Sequence, residues 1–331
     1  MPGPISRAVL VSRFNGKLGQ IIGGPELPIL KKIKQFVIKS GGKRIRPITH
    51  YYFAGILGYG GREWEDVGAI GELIHAASLL HDDVVDSSNM RRGKPSVNAL
   101  HGNKTAILSG DYLLACGLDH LGTLERSVDL LGVFTRVIRM LAVGELLQME
   151  WERDFKLARK IYDRIILGKT GSLFGAMSES AYVLATPPGQ PVDAAAAARY
   201  REFGERMGRL FQVRDDYLDY FGDARSNGKE LYQDFRRGLI THPILVLRSM
   251  ADSREKKVLA ELWKNDESRA TSKGLEQFLE ISRRSNVQQN LAREIEEEVH
   301  GLMHFVRGHA ESEYREKILE HLTTLLVPQT V

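Results

Sequence analysis

EWEDVGAIGELIHAASLLHDDVVD, running from Glu63 to Asp86, decides the fold. Its apolar residues fall at Val67, Ile70, Leu73, Ile74, Ala77, Leu80 and Val84, the three-four spacing of a buried helix and not the alternation of a strand. The segment closes on Asp82, Asp83 and Asp86. Asp82 and Asp86 stand one helical turn apart and share a face. Like charges at that spacing repel by about a few tenths of a kcal/mol when exposed, and by more when partly buried. Something positive has to offset them.

Outward from this segment the same periodicity recurs from Leu130 to Lys156, from Ala194 to Phe221 and from Leu291 to Leu326. Breakers cluster at Gly23–Pro28, Gly41–Pro47, Gly58–Gly61, Pro187–Pro191 and Gly222–Gly228. No alternating run persists long enough to need a sheet. The spacing predicts an all-α chain, a single large helical domain of roughly ten or more helices over residues 1–331. The charged tail from Glu294 keeps Val299, Leu302, Phe305 and Val306 at helical spacing, which marks an amphipathic packing helix.

The composition excludes several function classes. Of 331 residues, 43% are hydrophobic, enough for a substantial core, and the net charge of +4 gives no argument for a nucleic-acid partner. The one cysteine, Cys116, excludes an internal disulfide and any multi-cysteine metal site. The opening MPGPISRAVLVSRF has no signal-peptide pattern, and no run approaches the ~18 apolar residues of a membrane span. The expectation is a soluble cytoplasmic protein.

A second acidic turn, RDDYLDY, carries Asp215, Asp216 and Asp219 inside another helical pattern with Leu210, Phe211 and Leu218. A solvated acidic surface explains one such turn. Two copies on separate helices, both followed by basic residues, favour a cage of hard oxygen ligands. The ion that suits it is Mg²⁺, which keeps several waters and is shared between carboxylates and phosphate oxygens. Nothing nearby has the His/Cys grouping of zinc. Cations alternate with the aspartates along the chain: Lys43, Arg44 and Arg46 in SGGKRIRP, Arg91 and Arg92 in NMRRGK, Lys169 beside Thr170 in GKTG, and Lys229 after the second turn. Arg forks grip phosphate oxygens and Lys acts as a point charge. As a set they read as a phosphate-binding site, although neither a Walker-A loop nor a dinucleotide fingerprint is present.

These motifs occur in one order: GGKRIRP, IHAASLLHDDVVDSSNMRRGKPSVN, GNKTAILSGDYLL, GELLQM, GKTGSLF and FQVRDDYLDYFGD. In that order the chain resembles the trans-polyprenyl diphosphate synthase family, closest to the long-chain bacterial octaprenyl type, over about Leu30 to Leu247. The remaining helices lie at about 255–326. The resemblance implies the isoprenoid synthase fold, a helical bundle around a central cavity, and a homodimer. It implies that Lys43, Arg46, His75 and Arg92 hold isopentenyl diphosphate. Asp82, Asp86 and Asp215 would bind Mg²⁺, roughly three ions with diphosphate bound, supported by Asp83, Asp216 and Asp219. Arg91, Lys169 and Lys229 would grip the allylic diphosphate, and Thr170 and Gln212 would line the reacting centre. His75 stands seven residues before Asp82, on the same helix face at roughly 10 Å.

The implied chemistry is ionisation, condensation and elimination, in a site that excludes water. It asks for no side-chain nucleophile. Product length is carried by Ala77 and Ser78, which stand where bulky residues stop growth early in the family. Both are small, so the expected product is long, roughly seven or eight isoprene units or more, made for a quinone side chain and delivered to a membrane. Ala77→Phe is expected to shorten it.

Two positions depart from the family's GKxxGxDxxxGKxTxP, here GKELYQDFRRGLITHP: Tyr232 replaces a usual glycine and Leu239 a usual lysine. Losing that charge-assisted contact costs about 1.5–3 kcal/mol of binding unless Arg236 or Arg237 substitutes. Two alternatives therefore stand beside the long-chain synthase: a shorter-chain farnesyl or geranylgeranyl diphosphate synthase, and a weakly active regulatory subunit of a heteromeric enzyme.

Overall fold

α4, Glu63–Val85, is the helix that the opening segment predicts, and its middle is sequestered on all sides: Ile70, Leu73, Ile74 and Ala77 are at most 1% exposed. A helix apolar all round has to be wrapped by others. Here α1 (Arg7–Ile21), α3 (Ile45–Ile56) and α6 (Asn103–Leu121) pack against it. The computed structural model describes residues 3–24, 27–39, 44–91, 93–222 and 231–327.

Two compact units divide the chain, the first made of Met1–Arg139, Leu173–Gly204 and His309–Ile318, the second of Met140–Ser172, Glu205–Gly308 and Leu319–Val331. The first also holds α2 (Pro28–Lys39), a hairpin of β1 (Met90–Arg91) and β2 (Lys94–Pro95), and α5 (Val97–His101). The hairpin is antiparallel, with Met90 opposite Pro95 and Arg91 opposite Lys94, and is the only sheet among the described residues. α7 (Ser127–Trp151), α9 (Ser172–Ala185) and α10 (Ala194–Phe221) have residues in both units.

The second unit continues with α8 (Arg159–Ile166), a π turn (Leu167–Gly171), α11 (Gln233–Arg237), α12 (His242–Met250), α13 (Ser253–Lys264), α14 (Asp266–Ala270), α15 (Ser272–Arg284) and α16 (Val287–Arg307). α17 (Glu313–Thr323) closes the helical order. An aromatic cluster fastens the short α11: Phe235 lies 4.7 Å from Phe278 and 5.5 Å from Trp263, ring centre to ring centre, and the Trp263 indole donates to Gly238 O at 3.0 Å. Burying one such ring stabilises the unit by about 1.5–3 kcal/mol, which is what holds the segment after the second acidic turn in place.

Two boundaries differ from the periodicity. α7 stops at Trp151, short of Lys156, because Asp154 accepts the Lys156 N–H at 2.7 Å and bends the chain into a turn. The tail breaks after Arg307 into α16 and α17, where Gly308 caps α16 with its N–H on His304 and Phe305 carbonyls.

Candidate functional site

The first acidic turn sits at the C-terminal end of α4. Asp86 is the cap residue, its N–H donating to Asp82 O at 2.8 Å, and its side chain is exposed. Asp82 is half-buried and shares its face with His75 two turns earlier. Asp83 is 1% exposed and takes Arg91: Nε donates to Oδ1 at 2.7 Å and Nη2 lies 2.6 Å from the same oxygen. The hairpin delivers Arg91. Gly93 turns it at φ 75°, which glycine adopts without strain. Asn98 ties it back, donating to Asp83 O at 3.1 Å and Ser88 O at 3.0 Å.

Of the other residues expected in this unit, Arg46 lies in the first turn of α3 with its guanidinium 4.8 Å from the Phe174 ring centre, a cation–π arrangement. Arg44, by contrast, is buried and paired to Glu72 at 2.5 Å, so it anchors the start of α3. Ser78 is half-buried with its hydroxyl on His75 O at 2.9 Å, while Ala77 is fully buried in the unit's own apolar core with Leu73, Leu80 and Leu113. Lys43, Arg92 and Lys229 lie outside the described residues.

The second unit gathers Lys169, Thr170, Gln212 and Asp216 around one cavity of about 220 Å³. Close backbone contact builds it. A Cβ at Gly144 would come within 2.8 Å of Lys169 N, and one at Gly168 within 2.8 Å of Gly144 Cα. Only glycines let α7 and the π turn touch in this way, and the touch sets Lys169 Nζ 2.5 Å from Glu145. A polar chain then fixes the wall. Thr170 donates to Gln212 Oε1 at 3.2 Å and Gln212 Nε2 to Asp216 Oδ1 at 2.9 Å. The Asp216 Oδ2 accepts Tyr162 O–H at 2.5 Å and His242 N–H at 3.2 Å. With these three donors in place both oxygens of Asp216 are engaged, and burial raises its carboxyl above the usual range.

Asp215 is exposed on α10, and Asp219 accepts the N–H groups of Gln233 (3.1 Å) and Asp234 (3.0 Å) at the start of α11. Asp234 lines the same cavity, and burial together with the charges of Asp216 and Asp219 pushes its carboxyl up to about 8. Leu239 lines the cavity where a lysine was the expectation; Arg236 and Arg237 are both exposed and neither lines it. Tyr232 is left-handed at φ 63°.

Among the described residues no three carboxylate or histidine groups converge tightly enough to hold a metal ion alone. The acids still fit Mg²⁺: they are hard oxygen donors, and after burial it is the negative charge of Asp216 and Asp219 that raises Asp234. An ion that completes its shell with water and diphosphate oxygens needs no closed protein cage. Asp234, Glu145, Gln148 and Tyr162 belong to the site and were not singled out from sequence; Glu145 and Gln148 sit in the quoted GELLQM, and Asp234 is the acid of the GKxxGxD pattern.

Residues 27–281 match the family model described as Polyprenyl synthetase. Octaprenyl diphosphate synthase of Escherichia coli (strain K12) is 34% identical over 222 residues, 66% of this chain and 66% of that one, just under two thirds of its length. All-trans-nonaprenyl-diphosphate synthase (geranyl-diphosphate specific) of Rhodobacter capsulatus is 32% identical over 91% of this chain and 89% of that one. The solved polyprenyl synthase from Caulobacter crescentus CB15, complexed with calcium and isoprenyl diphosphate, superposes with a TM-score of 0.84 at 28% identity, covering 98% of this chain and 96% of that one.

Proposed function

The chain belongs to the polyprenyl synthetase family, and on that premise we propose that it condenses isopentenyl diphosphate with an allylic diphosphate, farnesyl diphosphate foremost, in trans. The product is a long-chain polyprenyl diphosphate for quinone side chains. The all-α, isoprenoid synthase fold stands on the structural likeness already given.

The observation that carries the activity is the way both acidic turns spend their middle aspartate. Asp83 is committed to Arg91 and Asp216 to Tyr162, Gln212 and His242, while Asp86 and Asp215 are exposed and Asp82 is half-buried. In each unit these acids would hold Mg²⁺, and the chemistry the ion would supply when bound is neutralisation of charge on a diphosphate. The chain's own groups do the rest. Arg91 is aimed by Asp83 and Lys169 by Glu145, so both cations are oriented before an anion arrives. Gln212 is locked with its amide N–H on Asp216, so its carbonyl takes the Thr170 hydroxyl hydrogen. The remaining lone pairs of Thr170 Oγ1 are left for positive charge that develops on an allylic carbon. Leu157, Ile165 and Leu239 supply an apolar part of the cavity wall, which would keep water from such a carbon.

Small side chains at Ala77 and Ser78 support a long product. Ser78 is one turn below Asp82, so Ser78→Phe shortens the product without disturbing the core. Ala77→Phe also shortens it, at an overpacking cost of about 1–3 kcal/mol in a filled site. Exposed apolar side chains at threefold spacing on α7, Val143, Leu146 and Met149, support pairing with a second copy of the chain. No helix among the described residues is long and apolar enough to cross a membrane, which supports transfer of product to a membrane over residence in one.

The test is to incubate the purified chain with Mg²⁺, farnesyl diphosphate and labelled isopentenyl diphosphate, and to size the products. Long products that vanish with a chelator are expected; farnesyl- or geranylgeranyl-length products assign the shorter-chain reading. Leu239 favours a second reading, a weakly active regulatory subunit, since it leaves Lys169 as the only cation among the described residues that line the cavity. No product from the chain alone, with product restored by a catalytic partner, assigns that one.

A further inference from the structure

A second cavity, of about 360 Å³, opens in the first unit. α2 lines it with Ile33 and Phe36, α4 with Ala76 and Leu79, and α5 with Val97 and Leu100. Leu100 is 57% exposed, so the apolar wall continues out to the mouth. Four cations share the lining, Lys32 and Lys39 from α2, Arg91 and Lys94 from the hairpin. Its one acid among the described residues is Asp83, already engaged with Arg91 through Oδ1. Apolar floor and cationic rim together match one chemistry, a hydrocarbon tail on an anionic head.

This cavity is not the acidic face. A helix turns about 100° per residue, so Ala76, Leu79, Leu80 and Asp83 form a stripe about a quarter-turn away from Asp82 and Asp86. Arg91 is the residue the two faces have in common. It reaches only one oxygen of Asp83; Oδ2 is buried without a hydrogen-bond partner among the described residues. The Arg91 side chain is 28% exposed and its guanidinium has five donors, so it keeps donors for an anion arriving from the pocket.

We propose that this pocket on the flank of α4 binds a prenyl diphosphate without metal, as a site apart from the face that carries Asp82 and Asp86, and that its occupant draws on Arg91 and thereby brakes turnover. The identity of the occupant rests on the prenyl-transfer reading. A tail in the slot is driven by burial of methylenes, and the head is held by Lys39, Lys94 and Arg91. Since Arg91 is also the proposed grip on the allylic diphosphate, an accumulating product takes that grip away.

Calorimetry with farnesyl thiodiphosphate in the presence of a chelator tests this, because metal-bridged binding at the acidic turns is then removed. Saturable binding is expected, weakened about tenfold both by Ala76→Trp, which fills the slot, and by Lys39→Glu, which reverses one rim charge. Inorganic diphosphate and farnesol separately bind at least about tenfold less tightly. With Mg²⁺ both variants keep the initial rate and lose inhibition by added long-chain product. Lys39→Glu, an exposed substitution, keeps the test open if Ala76→Trp does not fold. Metal-free binding that is unchanged in Lys39→Glu overturns the proposal, as does inorganic diphosphate binding as tightly as the thiodiphosphate. Anionic phospholipid vesicles that displace the thiodiphosphate overturn the assigned occupant in favour of a lipid headgroup. A chain that binds without metal yet makes no product with it sinks the prenyl-transfer reading and leaves the pocket standing; one that makes product but does not bind without metal does the reverse.

Discussion

The acidic turns of α4 and α10 have the same spelling, two aspartates and a third three residues on, and the protein uses the letters differently. On α4 the middle acid is matched by a full charge, Arg91, brought by a hairpin from outside the helix. On α10 it is matched by neutral donors, Tyr162, Gln212 and the His242 N–H. The third acid differs too. Asp86 falls on the cap of a helix that ends at Val85, and stays exposed. Asp219 lies within a helix that runs on to Phe221, and it caps the start of α11. In both turns the first acid, Asp82 or Asp215, stays outside the core, half-buried in the one and exposed in the other. The motif therefore sets a face and a spacing, and the surrounding helices decide which carboxylate is left for a ligand.

The largest effect expected breaks or secures that equivalence. Asp82→Asn and Asp215→Asn should each lower kcat/KM on the order of 10³-fold, about 4 kcal/mol, because each removes a charge felt mainly as the diphosphate departs. Neither should move Tm much, since neither acid is in the core. A loss confined to one of the two would show that the turns are not functional counterparts.

The middle acids should separate on stability. Asp216→Ala strands a buried tyrosine hydroxyl, an amide and a backbone N–H, at about 3–4 kcal/mol in total. Asp83→Ala releases an arginine that already reaches solvent, at about 1 kcal/mol. Urea denaturation of the two variants reads the difference directly; equal losses would mean that Arg91 is as dependent on its partner as the neutral donors are.

A third contrast is confined to the first unit. His50 is fully buried, its Nδ1 2.9 Å from Met177 O, and burial lowers its pKa from 6.5 to about 4. The folded state resists a proton that the unfolded chain accepts. The associated stability is therefore complete above pH 6.5 and is lost as pH falls from there through about 4. The depressed value corresponds to about 3 kcal/mol. Hydrogen exchange at pH 7 and pH 4.5 should show α3 loosening in acid, and His50→Asn, whose amide can still donate to the Met177 carbonyl, should flatten the slope. An α3 that is equally protected at both pH values would refute the assignment.

How much of this was legible in the sequence follows from distance along the chain. α4 and α10 begin where the apolar spacing begins, because a helix that must bury a stripe advertises it every three or four residues. The two acidic turns were equally plain. The hairpin that aims Arg91 was not, since two-residue strands carry no periodicity. Glu145 and Asp234 were passed over for a different reason. Each stood in a quoted motif, but an acid beside Lys169 gains meaning only once Gly144 and Gly168 bring α7 onto the π turn. Conversely, the sequence offered Arg44 as one more phosphate-binding cation, and burial with Glu72 makes it an anchor instead.

The smallest expected effect concerns Tyr232, at the entrance to α11 in the second turn's support. Its φ of 63° is a conformation glycine takes freely and tyrosine does not, which puts strain of about 1–2 kcal/mol on this residue. Tyr232→Gly relieves that strain. It also removes a ring 6.3 Å from the Tyr220 ring, edge-on at 72°, a contact worth about 0.5–1.5 kcal/mol. The two terms oppose each other, so denaturant midpoints of wild type and Tyr232→Gly should agree to within about 1 kcal/mol. A gain well beyond that would mean the ring contact holds nothing; a loss of similar size would mean the tyrosine, strain included, is what keeps Asp219 on the N–H groups of Gln233 and Asp234.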